Sequence, residues 1–172
     1  MDHGLETQVS LDCLTHAGKS WVSRQSRLTQ IIAATYHADA IETALTSSAS
    51  IDALFARNGT LMAIAEVKCR DMSYDQLHAY GSYLITNDKI KRGCRISADL
   101  QVPFFLFVGL RTDHRIVYWQ MSDAEGTRTA DTVVSLTATK RTCNDETSID
   151  RMNAYIDLAT MRELHYTGDT SW

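Results

Sequence analysis

The segment "SIDALFARNGTLMAIAEVKCR" (Ser50–Arg70) constrains the fold more than any other stretch of the chain. Two apolar runs, Ile51–Ala56 and Leu61–Cys69, flank Arg57–Gly59. Asn-Gly accepts the positive φ that a tight hairpin turn demands, so the spacing predicts two antiparallel strands. Residues two apart on a strand share a face. Met62, Ile64, Glu66, Lys68 and Arg70 therefore line one face of the second strand, and Ala63, Ala65, Val67 and Cys69 the other. The second face stays small and apolar; the first turns ionic at its end. With the turn centred near Gly59, Asp52 comes opposite Glu66. Two facing carboxylates repel unless positive charge lies between them. A divalent cation meets that need, and Lys68, one residue beyond Val67, would reach the same site. Glu-x-Lys alone is equally the signature of a surface ion pair; Asp52 on the paired strand makes it a candidate site.

The other elements order themselves around this hairpin. Lys19–Ala38 carries a helical stripe of Trp21, Leu28, Ile31, Ile32 and Tyr36. Ala40–Thr46 reads as a first strand. Ser73 followed by Gln76 is a capping box opening a helix, with Leu77, Tyr80 and Leu84 as its stripe. Thr86–Asp88 breaks or redirects it. Val102–Leu110, "VPFFLFVGL", is a continuous apolar run expected of a strand buried on both faces. Arg115–Met121 and Thr132–Thr139 read as further strands. Ile149–Leu164 reads as a last amphipathic helix, with Ile149, Met152, Ile156 and Ala159 on one side. The fold class is α/β, a mixed central sheet flanked by helices. At 172 residues the chain is expected to form one domain, with a core over about 20–121 and additions over 122–172.

Composition excludes several classes. No apolar run is long enough for a membrane span, and the N-terminus lacks the basic start and apolar stretch of a signal peptide. A cytoplasmic location follows as the expectation, in a bacterial cell or a virus-infected host. Cys13, Cys69, Cys94 and Cys143 show no paired metal-ligand spacing and read as reduced structural thiols. A net charge of −4 rules out a strongly basic nucleic-acid binder, although "KIKRGCR" (Lys89–Arg95) concentrates four cations in seven positions. No P-loop, dinucleotide fingerprint or serine nucleophile elbow occurs. His37, His78, His114 and His165 stand isolated, and Tyr118 and Trp119 read as core.

Asp52, then thirteen residues, then Glu66-Val67-Lys68 resembles the core motif of the PD-(D/E)XK nuclease superfamily. The helix–strand–hairpin–helix–strand order over Ser20–Leu110 is similar too. Gln76 and Tyr80 resemble the Q-x-x-x-Y element of RecB-like and lambda-exonuclease-like members, including small nucleases of phage or bacterial repair and recombination. The resemblance implies a restriction-endonuclease-like core and hydrolysis of DNA phosphodiester bonds with Mg2+ or Mn2+. It implies Asp52, Glu66 and the Val67 carbonyl as metal ligands, and Lys68, Gln76 and Tyr80 as further catalytic groups. Arg70, Lys89, Lys91, Arg92 and Arg95 are the expected contacts to the DNA backbone. The first helix offers no acid, only Gln25 and Gln30, which leaves open a non-enzymatic binding member of the same fold. A dimer acting on Holliday junctions is the other alternative, and a homo-oligomer is compatible with either.

Overall fold

The computed structural model describes residues 16–43, 49–140, 148–167 and 172. Helix α1 (His16–Thr35) leads into β1 (Asp39–Glu42) and the hairpin β2 (Ala53–Arg57) and β3 (Thr60–Arg70). Helix α2 (Tyr74–Tyr80), β4 (Ser82–Thr86) and α3 (Asn87–Leu100) cross to β5 (Phe104–Leu110) and β6 (Arg115–Ser122). Strands β7 (Thr132–Lys140), β8 (Ser148–Asp157) and β9 (Arg162–Leu164) follow. Six strands form one sheet in the order β1-β2-β3-β5-β6-β9, and β4-β8-β7 form a second. The first is mixed, because β3 and β5 run parallel while its other pairs are antiparallel. A parallel pair needs a long crossover, and α2, β4 and α3 provide it.

Two apolar layers hold the six-stranded sheet. On one face Leu28 and Ile32 of α1 pack against Ala65, Val67, Cys69 and Phe107. On the other, Ile64, Leu106, Val108 and Trp119 meet Ile90 of α3 and Tyr83, Ile85, Ala154 and Ile156 of the second sheet. The expected helical cover is thus only partial: α3 and a three-stranded sheet share that face. Val102–Leu110 is the central strand its apolar run predicts, flanked by β3 and β6.

The hairpin has the turn that Asn-Gly predicts. Asn58 and Gly59 both take positive φ, 51° and 75°. A turn centred between them would pair Asp52 with Ala65, one residue out of phase. An irregularity between Phe55 and Ala56 shifts the register, so that Ala53 pairs Ala65. The next position along then brings Asp52 level with Glu66. A single extra residue moves every side chain beyond it relative to its partner.

Two expectations fail downstream. The helix opening at Ser73 stops at Tyr80, where Gly81 caps it in the left-handed region at φ 72°. Leu84 therefore belongs to β4, and Thr86–Asp88 begins α3 rather than ending a helix. The expected helix over Ile149–Leu164 is instead β8, a 3-10 turn (Leu158–Thr160) and β9. Met152 and Ile156 lie four apart, a spacing that one helix face and one strand face both satisfy. Ala154 between them is fully buried with Ile156, as strand alternation requires. Pairing with β4 and β7 decides the matter. Cys69 and Cys94 are free thiols, and Cys13 and Cys143 lie outside the described residues. Among the described residues no helix is long and apolar enough to cross a membrane.

Candidate active site

Asp52 and Glu66 meet where β2 has not yet begun and β3 nears its end. The Asp52 N–H donates to the Ala65 carbonyl at 2.9 Å, the last rung before the strands part. Thr43 fixes this entry to β2: its N–H donates to the Asp52 carbonyl at 3.0 Å and its hydroxyl to the Ile51 carbonyl at 2.7 Å. Asp52 Oδ2 then accepts the Val67 N–H at 2.9 Å and Lys68 Nζ at 3.0 Å. A strand residue's N–H and C=O project to the same edge. The Val67 carbonyl therefore points to the edge on which Asp52 lies, beyond the last residue of β3 that β2 covers.

Glu66 is fully buried. A carboxylate there requires countercharge, since an unpaired ion in the interior costs several kcal/mol. Two ammonium groups supply it. Lys68 Nζ lies 2.6 Å from Oε1, and Lys89 Nζ lies 3.3 Å from Oε2. Lys89 also donates to the Ala49 carbonyl at 3.1 Å. Among the described residues the close ionic contact with Lys68 is the partner of Oε1. Burial pushes the Lys68 ammonium toward losing its proton, but Glu66 and Asp52 outweigh this and hold its pKa above the ordinary lysine value. Lys68 is thus a positive charge clamped between two acids.

The residue set fits a hard divalent cation. Two carboxylates converge on one ammonium, Asp52 Oδ2 at 3.0 Å and Glu66 Oε1 at 2.6 Å, and the Val67 carbonyl points to the same edge. Among the described residues no three His, Cys, Asp or Glu side chains converge. A protein shell of two acids and a carbonyl is what Mg2+ commonly accepts, because it keeps several of its waters.

The remaining predicted residues divide. Gln76 spends its side chain on the capping box: Oε1 accepts the Ser73 N–H at 2.8 Å, and the Ser73 hydroxyl accepts the Gln76 N–H at 3.1 Å. Tyr80 is 70% exposed. Neither hydrogen-bonds to Asp52, Glu66 or Lys68. Gln30 of α1 donates to Glu42 on β1 at 2.8 Å, as does Ser26, so the first helix engages an acid on the edge strand. Lys91, Arg92 and Arg95 are exposed on α3 and form no ion pair with the described residues. Arg70 donates to the Cys69 carbonyl at 3.0 Å, beside the cluster. Burial raises the Cys69 thiol to about 11, against the nearby charges of Arg70, Arg111, Arg24 and Lys68.

The sequence grouped Lys89 with the phosphate-binding cations, whereas its ammonium reaches Glu66. The signal that could have found it is the demand of a buried Glu66 for a second positive partner. Tyr83 was also missed. It is buried against Trp119, with ring centroids 5.6 Å apart. Burial lifts its pKa above the usual phenol value, while the Arg70 and Lys68 charges act in the opposite direction.

A family model described as phage putative PDDEXK endonuclease matches residues 19–135. No curated protein and no solved structure matches the chain. The matched span runs from α1 into β7 and includes every residue of the cluster.

Proposed function

Since the chain belongs to the phage putative PDDEXK endonuclease family, we propose that it is a divalent-metal-dependent nuclease hydrolysing phosphodiester bonds in DNA. One observation carries the reading. The Asp52 and buried Glu66 carboxylates converge at the ionic end of β3, each in contact with the same Lys68 ammonium, at 3.0 Å and 2.6 Å.

Asp52, Glu66 and the Val67 carbonyl are the ligands for Mg2+ or Mn2+. Bound there, the cation supplies Lewis-acid chemistry, drawing charge from a phosphate and lowering the pKa of water. Lys68 keeps its proton, so its part is electrostatic: it orients an attacking water and offsets the negative charge that grows at phosphorus. Lys89 supplies a second positive charge to Glu66 at its other oxygen. Lys91, Arg92 and Arg95 extend positive charge along α3 from the turn that bears Lys89. Such contacts fix the register of a nucleic acid without reading its sequence.

The test is cleavage of single-stranded, linear duplex, circular and branched DNA with Mg2+, with Mn2+ and with a chelator, beside Asp52→Ala and Lys68→Ala. Wild-type cleavage that needs the cation and vanishes in both variants is expected. Wild-type protein that binds DNA yet cleaves no faster than Asp52→Ala on every substrate would make the chain a non-enzymatic member of its family.

A further inference from the structure

On the opposite face of the six-stranded sheet from Glu66 lies a cavity of about 340 Å3. That is within the range of small-molecule sites, about 300–1,000 Å3. Its nearest β3 residue to the acids is Ala63, three positions before Glu66 and roughly 10 Å away along the strand. The cavity is therefore separate from the carboxylate cluster.

Its walls are aromatic. Phe107 and Tyr118 stack with centroids 5.4 Å apart and planes at 30°. Phe105 joins them at 5.9 Å and 6.3 Å, and Phe55 meets Phe107 edge-on at 6.2 Å. The polar groups are few and all of one kind of use. Arg57 and Arg162 line the cavity with the Gln120 amide and the Tyr36 and Tyr118 hydroxyls, and no acid lines it. The Arg57 guanidinium donates to the backbone carbonyls of Tyr36 and His37, which leave its charge in place. Neither arginine forms an ion pair with a carboxylate among the described residues. Burial and the Tyr118 hydroxyl keep Tyr36 protonated, so no phenolate supplies the missing negative charge.

Flat apolar walls and two uncompensated guanidinium groups select one kind of ligand. We propose that this cavity binds a planar aromatic ring bearing a phosphate, with the ring against Phe105 and Tyr118 and the phosphate on Arg57 and Arg162. Ring faces stack on one another with little preference for substituents. Guanidinium groups bind phosphate oxygens through paired N–H donors. A free mononucleotide and the terminal nucleotide of a strand present the same chemistry.

Isothermal titration of the full-length chain, without divalent cation, tests this with deoxyadenosine 5′-monophosphate as the probe. Deoxyadenosine, inorganic phosphate and a short 5′-phosphorylated oligonucleotide form the other arms. The monophosphate should bind at least about tenfold more tightly than deoxyadenosine or phosphate alone, since each lacks half of the recognition. Arg162→Ala, an exposed position that the fold tolerates, should weaken it at least fivefold, about 1 kcal/mol. Asp52→Ala should leave it unchanged. Tighter binding of the oligonucleotide than of the monophosphate marks a strand end as the ligand; the reverse order marks a free nucleotide. Absence of saturable binding up to millimolar monophosphate overturns the assignment, as does equal affinity for deoxyadenosine. Binding that survives Arg162→Ala but is lost in Asp52→Ala would move the ligand to the carboxylates. The readout is binding, so its failure and failure of the nuclease reading are separate results.

Discussion

Glu66 and Val67 are consecutive on β3 and both fully buried, yet they face opposite chemistries. Val67 sits among Leu28, Ile32 and Phe107, where burial removes apolar surface from water and nothing further is required. Glu66 faces the second sheet and α3, where burial has to be compensated by Lys68 and Lys89. Equal burial thus marks an apolar filler on one face and a charge that must be matched on the other. The difference lies in what the neighbours must do: apolar side chains fill space, whereas an acid imposes charge and geometry on its own strand and on α3.

The sharpest way to break this contrast is to exchange the costs. Glu66→Gln keeps the shape and removes the charge, and should lower cleavage by about 10^3-fold or more. Its thermal midpoint should stay within a few degrees of wild type. Val67→Ala should do the opposite, losing about 2 kcal/mol of stability while cleavage per folded molecule is kept. Paired thermal melts and single-turnover assays read both, and an inactive Val67→Ala with a normal midpoint would abolish the distinction between the faces.

The second prediction concerns the charge that joins the acids. Lys68 has its pKa raised in the fold by Glu66 and Asp52. A raised lysine stabilises the folded state fully below its unfolded value, about 10.5, and loses that contribution as pH climbs through the folded value. The difference in melting temperature between wild type and Lys68→Met should therefore stay flat from pH 7 to 10 and shrink at higher pH. Cleavage should show no alkaline loss attributable to Lys68 over that same range. A Lys68-dependent inflection near pH 8 would mean a poised base and would overturn the electrostatic role.

Packing on the Glu66 face offers a third. A Cβ on Gly93 would come within 2.2 Å of the Phe104 ring. Gly93→Ala should cost about 1–3 kcal/mol and push α3, with Lys89, away from Glu66. Denaturant unfolding measures the first effect. The second should appear as reduced cleavage that Gly93→Ala shares with Lys89→Met without the two losses adding.

The smallest effect belongs to α2, which packs on the Glu66 face through Leu77. Ser73→Ala removes half of a capping box and should cost about 1 kcal/mol. Gln76→Glu keeps the box, because glutamate serves equally at that position. If Gln76 only caps the helix, Gln76→Glu should cleave as wild type does. Normal stability with lost cleavage would instead give Gln76 the substrate contact that the family resemblance implies.

Much of this was legible in the sequence where a local rule and the global fold agree. Asn58-Gly59 demanded a hairpin, the alternation over Ile64–Arg70 assigned both faces, and the apolar run to Leu110 demanded a buried central strand; Met62, expected on the Glu66 face, is the extra residue of the irregularity and lines the cavity on the other face. Ile149–Leu164 was illegible because its apolar spacing suits two periods, and β4 and β7, distant in sequence, chose between them. The helix after Ser73 was misjudged in length because Gly81 ends it before Leu84 can join.

The sequence alone determined which side chains share the ionic end of β3, since strand parity is a covalent fact once the strand exists. Tertiary structure decided that Asp52 is level with Glu66, because the irregularity at Phe55–Ala56 resets a register that the turn alone would have left one residue out. It also brought Lys89 from α3 to Glu66. A buried charge can be matched only by groups that the whole fold carries to it, and no local pattern encodes that distance.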